Sequence, residues 1–199
     1  MKITDIKQQV KRTDRYSIYV DGKYTFSLGE TELLNSGLRV NQELTKEKLE
    51  GLKDTAVLDK AYDRALNLIS MRPRSEWEIR EYLKRKNYDP APIDTILNKL
   101  SISGYVNDLK FAQAWVANRR LLKSTSQRRL IQELRQKRVA DDIAKQVLEE
   151  DETDELEVLR ELVAKKRTQT RYQDKLKLMQ YLSRQGFSYS DIKSVLDED

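Results

Sequence analysis

The sequence of 199 residues contains no cysteine and no histidine, and it has only six glycines and three prolines. Without cysteine or histidine the chain cannot form a disulfide, a thiolate nucleophile, a zinc-finger site or a Ser-His-Asp triad. No apolar run approaches the roughly 20 residues that a membrane-spanning helix needs, and the segment after Met1 lacks the apolar core of a signal peptide. We therefore expect a cytoplasmic protein without a membrane segment.

Motifs for catalysis are also scarce. The sequence has no glycine-rich phosphate loop, no convincing pair of carboxylates and no spacing typical of a metal site. Composition alone leaves carboxylate, lysine, tyrosine or Mg²⁺ chemistry open, but nothing in the sequence favours it. We predict a protein that is not an enzyme, with no catalytic residue, no metal site and no cofactor.

Charge is abundant, since 36% of the residues are charged and 38% are hydrophobic. Lysine and arginine number 38 against 33 aspartates and glutamates, which gives a net charge of +5. After about residue 30 the good helix formers Leu, Glu, Lys, Arg, Gln and Ala dominate. This composition is typical of a helical protein with a large surface for its volume.

The first 30 residues have a different character. The segments Arg15–Val20 and Tyr24–Leu28 are rich in aromatic and β-branched residues, and Asp21-Gly22 lies between them. An Asp-Gly pair between two such runs predicts a tight hairpin, because both turn positions need a positive φ. Ile3–Val10 is a candidate third strand. We expect a small antiparallel sheet that packs on the helices after it, since a lone hairpin is marginally stable in water.

The helical part contains an internal repeat of apolar positions. Three sets share the offsets +4, +9, +17 and +18 from their first members, and the sets follow one another after 51 and 48 residues. The sets are Ile79, Leu83, Tyr88, Ile96 and Leu97; Leu130, Leu134, Val139, Val147 and Leu148; and Leu178, Leu182, Phe187, Val195 and Leu196. A shared spacing in three sets at a nearly constant period indicates a structural repeat.

Each repeat is predicted to hold three short helices, which must bury their apolar stripes against one another. In the first repeat, a helix over about Leu58–Ser70 precedes a break, and Ser75 with Glu78 has the spacing of a capping box. We predict a mainly α fold with three tandem three-helix repeats in an elongated, curved array after a small N-terminal antiparallel sheet. The expected boundaries are 1–57 for the extension with its linking helices, and 58–106, 107–153 and 154–199 for the repeats.

Basic residues cluster in corresponding parts of the three repeats. Between Arg119 and Arg138 there are eight basic residues, opposed only by Glu133. Such clusters either form solvated surfaces or contact a polyanion or an acidic protein; their recurrence in three repeats favours binding. Trp77 and Trp115 are candidates for stacking on bases, but core packing is the favoured interpretation of both.

Four sequence blocks resemble those of the RecX regulatory family. They are Arg74-Ser75-Glu76-x-Glu78-Ile79-Arg80-x-x-Leu83-x-x-Lys86-x-Tyr88, Gly104-Tyr105-Val106-Asn107-Asp108-x-x-Phe111-Ala112-x-x-Trp115-Val116-x-x-Arg119, Leu130-x-x-Glu133-Leu134-x-x-Lys137-x-Val139 and Leu182-x-x-x-Gly186-Phe187-Ser188. The resemblance covers about residues 58–196, and the N-terminal extension looks like that of longer members from Gram-positive bacteria. One departure is that the usual Lys-Gly pair at the end of a second helix is replaced by Lys86-Asn87 and Lys137-Arg138.

The resemblance implies a non-catalytic modulator of the RecA recombinase. RecX proteins consist of three tandem three-helix repeats that bind the RecA–single-stranded DNA filament in its groove. They inhibit its ATPase, coprotease and strand-exchange activities, either by blocking filament extension or by promoting disassembly. The implied partners are RecA and single-stranded DNA, with double-stranded DNA as a further ligand, and no membrane.

By this resemblance, eight basic residues are candidates for contact with filament acids or DNA phosphates. They are Arg74, Arg80, Lys84, Arg119, Arg120, Arg128, Arg129 and Arg135. For each one the alternative is solvation or an ion pair within the chain. The alternative function for the whole protein is a stand-alone DNA-binding helical protein that acts independently of RecA. Dependence of binding on RecA distinguishes the two functions.

Overall fold

The structure, a computed structural model, describes residues 1–198. Within that range three strands precede ten α-helices. The strands are β1 (Ile3–Gln8), β2 (Arg15–Val20) and β3 (Lys23–Gly29). The helices are α1 (Glu30–Ser36), α2 (Lys46–Met71), α3 (Glu76–Arg85), α4 (Pro90–Ile102), α5 (Asp108–Leu122), α6 (Gln127–Gln136), α7 (Asp141–Glu149), α8 (Glu155–Arg167), α9 (Lys175–Arg184) and α10 (Tyr189–Asp197). No helix described is both long and apolar enough to cross a membrane.

The chain divides into two compact units. The first unit comprises residues 1–72 and 79–105, and the second comprises residues 73–78 and the chain from 106 onward. The first three residues of α3 therefore belong to the second unit and the rest of that helix to the first.

The N-terminal strands form an antiparallel sheet in the order β1-β2-β3. Asp21 and Gly22 have φ values of 48° and 76°, and Val20 pairs with Lys23 on either side of them. This is the geometry that the Asp-Gly pair predicts for a two-residue hairpin turn. The hairpin and its third strand are therefore confirmed. The buried face of the sheet, with Ile3, Ile18, Val20, Phe26 and Leu28, shares a core with Leu49 and Ala56 of α2.

A buried arginine also connects the sheet to α2. Arg15, whose side chain is 4% exposed, pairs with Asp59 (2.8 Å) and with Asp63, and it donates to the Ser27 carbonyl (3.1 Å). Asp59 additionally accepts the Gly29 N–H at 2.9 Å. Burial raises the pKa of Asp63, although the charge of Arg15 opposes the shift. We call Arg15, Asp59 and Asp63 the Arg15 cluster.

Helix α2 is longer than the sequence suggested. Thr45 begins it by accepting the Lys48 N–H at 3.2 Å, and the helix continues without a break for 26 residues to Met71. The expected helix over about Leu58–Ser70 is the C-terminal half of this helix. Gly51 does not interrupt it, since one glycine in a helix costs only about 1 kcal/mol.

The three repeats each contain three helices: the C-terminal half of α2 with α3 and α4, then α5–α7, then α8–α10. All five apolar positions of the second and third sets are buried. In the first set four are buried and Tyr88 is half-buried. The shared offsets therefore mark the cores of the repeats, and the predicted repeat architecture is confirmed.

The second helix of every repeat ends in a left-handed residue. Asn87, Arg138 and Gly186 occupy equivalent positions and have φ values of 61°, 56° and 95°. In the middle repeat the next N–H, that of Val139, donates to the Leu134 carbonyl at 3.1 Å, and corresponding bonds close the other two helices. These bonds satisfy carbonyls that the helix end would otherwise leave unpaired. The departures from the usual Lys-Gly pair therefore preserve the conformation of the helix end.

Ser75 makes two connections through one hydroxyl. It accepts the Glu78 N–H at 3.3 Å, while the Ser75 N–H donates to the Glu78 carboxylate at 3.4 Å. The predicted capping box is therefore present. The Ser75 hydroxyl also donates to the Lys137 carbonyl at 2.9 Å, which lies at the end of the second helix of the middle repeat.

Ser126 repeats this arrangement one repeat later. Its buried hydroxyl accepts the Arg129 N–H at 3.2 Å and donates to the Gln185 carbonyl at 2.6 Å. The serine that begins α6 thus contacts the end of α9, the second helix of the third repeat. A hydroxyl is suited to this position because it accepts and donates at once.

A partly buried carboxylate accompanies each of these serines. Asp108 accepts the Glu76 N–H at 2.9 Å, and Glu155 accepts the Gln127 N–H at 2.9 and 3.1 Å. Both acceptors are the first residues of helices, where a negative charge is favoured. Burial nevertheless raises the pKa of Asp108 and of Glu155.

We expect the substitution Asp108→Asn to change how stability depends on pH. Because the pKa of Asp108 is raised in the folded state, the folded protein binds this proton more tightly than the unfolded chain. Its contribution to the free energy of unfolding therefore falls as pH rises from the ordinary aspartate pKa into the raised range. The asparagine keeps an oxygen that accepts the Glu76 N–H but does not ionise, so the stability of the variant relative to the parent should increase with pH there. Thermal denaturation from about pH 4 to about pH 7 measures this difference; a difference that shrinks with rising pH would contradict it.

Candidate nucleic-acid interface

Three of the eight candidate residues lie on the exposed side of α6. Arg135 pairs with Asp141 at 2.8 Å, and this guanidinium lowers the pKa of Asp141. Arg129 lies 3.8 Å from Glu133. Arg128 is exposed, and no carboxylate of residues 1–198 lies within ion-pairing distance of it. Since Leu130 and Leu134 are buried, the helix periodicity directs these arginines to solvent.

Arg119 is held inside the middle repeat. Its guanidinium lies 2.6 Å from Glu133 and over the ring of Trp115, 4.5 Å from the centroid. The Trp115 indole N–H donates to the same carboxylate at 2.9 Å. Trp115 also packs on Phe111, with ring centroids 5.8 Å apart. The preference for Trp115 in the core over base stacking is therefore confirmed.

Arg120 is more enclosed still. Its side chain is 11% exposed and lies 2.8 Å from Asp151 and 3.6 Å from Glu155. It also donates to the Thr125 carbonyl at 2.7 Å, which fixes the turn between α5 and α6. Burial opposes ionisation of Asp151, but hydrogen bonds from Thr153 and Arg120 outweigh this effect and lower the pKa of Asp151. These contacts engage the Nε and Nη1 atoms of Arg120 within the chain.

The three candidates of the first repeat also have carboxylate neighbours. Arg80 pairs with Asp94 at 2.5 Å, and Lys84 pairs with Glu81 at 2.9 Å on the same helix. Arg74 lies 4.0 Å from Glu78. Arg74 belongs to the second unit, and Arg80 and Lys84 belong to the first.

A cleft of the second unit brings together lysines that were not among the candidates. It has a volume of about 310 Å³ and lies between the α5–α6 turn and helices α8 and α9. Its charged lining residues are all cations. They are Lys123, Lys165 and Lys166, accompanied by Ser124, Thr125, Tyr181 and Gln185. We call this the lysine cleft.

Aromatic rings hold one of these lysines in place. The Lys166 ammonium lies 5.0 Å from the ring centroid of Tyr181 and 5.7 Å from that of Tyr172. Arg128 lies beside the cleft. Gln185 lines the cleft, and the next residue, Gly186, is so close to Arg128 that a Cβ at Gly186 would be 3.6 Å from the Arg128 Cβ. The lysine cleft and Arg128 therefore form a local cationic surface, and such surfaces attract phosphates and carboxylates.

Four family models match the chain in order along its length. They are the Regulatory protein RecX N-terminal domain over residues 1–45 and the first, second and third RecX three-helix domains over residues 61–100, 107–148 and 152–196. The chain belongs to the RecX family. Among curated relatives, the Regulatory protein RecX of Bacillus subtilis is 31% identical over 201 residues, covering 98% of this chain and 76% of that protein.

Further RecX proteins and solved structures agree with this assignment. The Listeria welshimeri protein is 36% identical over 150 residues, which are 75% of this chain and 56% of that protein, so the match spans about half of the relative. A crystal structure of regulatory protein RecX superposes with a TM-score of 0.74 at 28% identity and covers 98% of both chains. The RecX structure from Lactobacillus salivarius gives a TM-score of 0.61 at 26% identity, covering 71% of this chain and 95% of that one. RecX is a family of regulatory proteins.

Sequence reasoning missed the lysine cleft because its residues come from separate blocks. Lys123 lies in the middle basic block, whereas Lys165 and Lys166 begin the basic region of the third repeat. The repeat itself was the signal that could have found the cleft. It places Lys123 and the pair Lys165 and Lys166 at equivalent positions, the ends of the first helices of neighbouring repeats. Among residues 1–198, no group of three or more acidic side chains is arranged to hold a metal ion.

Proposed function

We propose that this RecX family member binds the RecA–single-stranded DNA filament and inhibits RecA activity without catalysis of its own. The observation that carries the proposal is the cationic surface of the second unit, formed by the lysine cleft and Arg128. RecA and single-stranded DNA are the proposed partners, with double-stranded DNA as a further ligand. Inhibition acts by blocking filament extension or by promoting disassembly.

The charge distribution of this surface supports binding over mere solvation. Solvated surfaces of helical proteins usually mix both signs, as Arg135 and Asp141 do on α6 and α7. The lysine cleft instead concentrates three ammonium groups without a lining carboxylate. Like charges around one cleft repel one another, and a phosphate or carboxylate from a partner relieves that repulsion.

The first test is a titration of the protein into its cognate RecA assembled on single-stranded DNA, with ATP hydrolysis as the readout. We expect hydrolysis to fall at protein concentrations well below those that saturate bare single-stranded DNA at the same salt. Tight binding to bare DNA with no change in hydrolysis would instead favour the stand-alone DNA-binding alternative. No binding and no effect would exclude both.

A charge-reversal variant tests the surface. We expect Lys123→Glu, Lys165→Glu and Arg128→Glu together to weaken filament binding by at least about tenfold and to reduce its salt dependence, because phosphate contacts by cations release counterions. Lys110→Glu, Lys145→Glu and Lys193→Glu form the matched control, since all three are exposed residues of the second unit and change the net charge equally.

Both variants should keep the circular dichroism spectrum of the parent, because exposed charges contribute little to stability. Equal weakening by the two sets would show a general charge effect and would remove the cleft from the interface. Unchanged inhibition in the first set would do the same.

A further inference from the structure

The first unit contains a second cationic cleft that the family assignment does not explain. It has a volume of about 420 Å³ and lies between strand β3 and helix α2, with the end of α3 at one side. Its walls include Lys53, Lys60 and Arg64 of α2 and Lys86 and Tyr88 after α3. On the strand side it is lined by Tyr24, Thr25, Phe26 and Ser27. All of these residues belong to the first unit.

The cations of this cleft lack carboxylates among the residues that line it. Arg64 donates to the Tyr88 hydroxyl at 3.3 Å and lies 5.6 Å from its ring, so its partner is a neutral phenol. The Lys86 ammonium lies 5.8 Å from the Tyr82 ring, and Lys53 pairs with Glu50 at 2.9 Å, a residue that does not line the cleft. The cleft is thus lined by four cations, of which Lys53 pairs with an acid outside the cleft, and otherwise by neutral residues.

The three cations of α2 form a row rather than a cluster. Lys53 and Lys60 are seven residues apart and Arg64 follows after four more. A helix rises about 1.5 Å per residue, so these positions are spaced by roughly 10 and 6 Å along the axis. A row of this kind follows a chain of negative charges better than it surrounds a single small anion.

An aromatic residue of β3, Tyr24, lines the same cleft as the row of cations. Tyr24 is 57% exposed, although it is in contact with Tyr19 in an edge-to-face arrangement at 6.0 Å. An exposed ring beside a row of cations is the combination that non-specific single-strand binding sites use, with bases on the ring and phosphates on the cations. An acidic peptide would also pair with the cations, but its carboxylates would not stack on the Tyr24 ring as a base would.

We propose that the cleft between β3 and α2 binds a short stretch of single-stranded nucleic acid, with phosphates along Lys53, Lys60 and Arg64 and a base against Tyr24. This gives the N-terminal sheet a binding role of its own, separate from the lysine cleft of the second unit. The inference shares its ligand class with the proposed function but does not require RecA.

Fluorescence anisotropy of a labelled oligodeoxythymidine in the absence of RecA tests the cleft. We expect Tyr24→Ala to weaken binding by about tenfold, within the range found for loss of one base–aromatic stack. Tyr105→Ala is the matched control, since Tyr105 belongs to the same unit and is 56% exposed. The double variant Lys60→Ala, Lys86→Ala should reduce the magnitude of the negative slope of log affinity against log salt by about one or more. The control double variant Lys46→Ala, Lys48→Ala should leave this slope unchanged.

Measurement in the Lys123→Glu, Lys165→Glu, Arg128→Glu background weakens any contribution of the lysine cleft and Arg128 of the second unit. Photo-crosslinking of an iododeoxyuridine oligonucleotide should label Tyr24. Equal oligonucleotide affinities of Tyr24→Ala and Tyr105→Ala would overturn the inference. It would also be overturned if polyglutamate displaced the oligonucleotide equally well from the parent and from Tyr24→Ala. Failure of the proposed function gives a different result. In that case the protein would leave ATP hydrolysis by the RecA filament unchanged but would still bind the oligonucleotide in a way that depends on Tyr24.

Discussion

Replacing Arg15 by methionine is expected to lower the free energy of unfolding of the first unit by about 3–5 kcal/mol, the usual effect of removing one partner from a buried ion pair. The Arg15 cluster would then hold Asp59 and Asp63 without the charge that both now contact. The Ser27 carbonyl would also lose its donor. Hydrogen exchange of the sheet amides, together with thermal denaturation, measures the loss.

The loss of stability caused by Arg15→Met should depend on pH in a defined direction. Burial already raises the pKa of Asp63 in the presence of Arg15, and removing the arginine raises it further. The folded variant therefore binds protons more tightly than its unfolded chain, so its free energy of unfolding falls as pH rises above the ordinary aspartate pKa. We expect the difference from the parent to be larger at neutral pH than near about pH 4.

Arg12→Met is the matched control for this prediction. Arg12 also contacts Asp63, at 3.4 Å, but its side chain is 40% exposed and its main partner is Asp14 at 2.7 Å. Its loss should cost about 1 kcal/mol or less, as expected of an exposed pair. If Arg15→Met is no worse than Arg12→Met, the cluster does not hold the sheet on α2.

The repeat and the hairpin were accessible from sequence because each depends on local, periodic signals. The apolar offsets define which side of each helix is buried, and Asp21-Gly22 specifies a turn by its backbone preference. The Arg15 cluster is different, because Asp59 and Asp63 are 44 and 48 positions from Arg15 and only the packing of the sheet on α2 brings them together. A basic residue in a strand gives no sign of its burial.

The candidate interface shows the same division. A basic block predicts that cations lie near one another, but it does not state which of them pair within the chain. Arg119 and Arg120 are adjacent in a strongly basic segment, yet Glu133 and Asp151 contact them in the folded chain. The lysine cleft forms between separate blocks and was not anticipated. Charge counting therefore identified a basic segment in the middle repeat but did not identify which of its side chains remain available to a partner.

Gly186 shows how closely the second and third repeats approach each other. Its φ of 95° lies beyond the values of 61° and 56° that Asn87 and Arg138 adopt at the equivalent positions, so a side chain there is strained. Contact adds to the requirement for glycine, because a Cβ on Gly186 would lie 2.6 Å from the Ser126 hydroxyl and 3.3 Å from the Arg129 nitrogen. That hydroxyl belongs to a fully buried residue and bonds the adjacent Gln185 carbonyl.

We expect Gly186→Ala to lower the free energy of unfolding by about 2–4 kcal/mol, from left-handed strain of about 1–2 kcal/mol together with displacement of the Ser126 cap. Gly104→Ala is the matched control, because Gly104 has a φ of 73° and a Cβ added to it would meet no atom within 4 Å. The loss of stability in Gly104→Ala should therefore reflect the backbone strain alone. Ser126→Ala removes the hydroxyl that the new methyl group meets, so Gly186→Ala should cost less in that background, with a coupling of about 1 kcal/mol or more. Chemical denaturation of the four proteins of this cycle measures the coupling. Additive effects, or equal costs at Gly186 and Gly104, would show that the close approach of the repeats does not constrain this position.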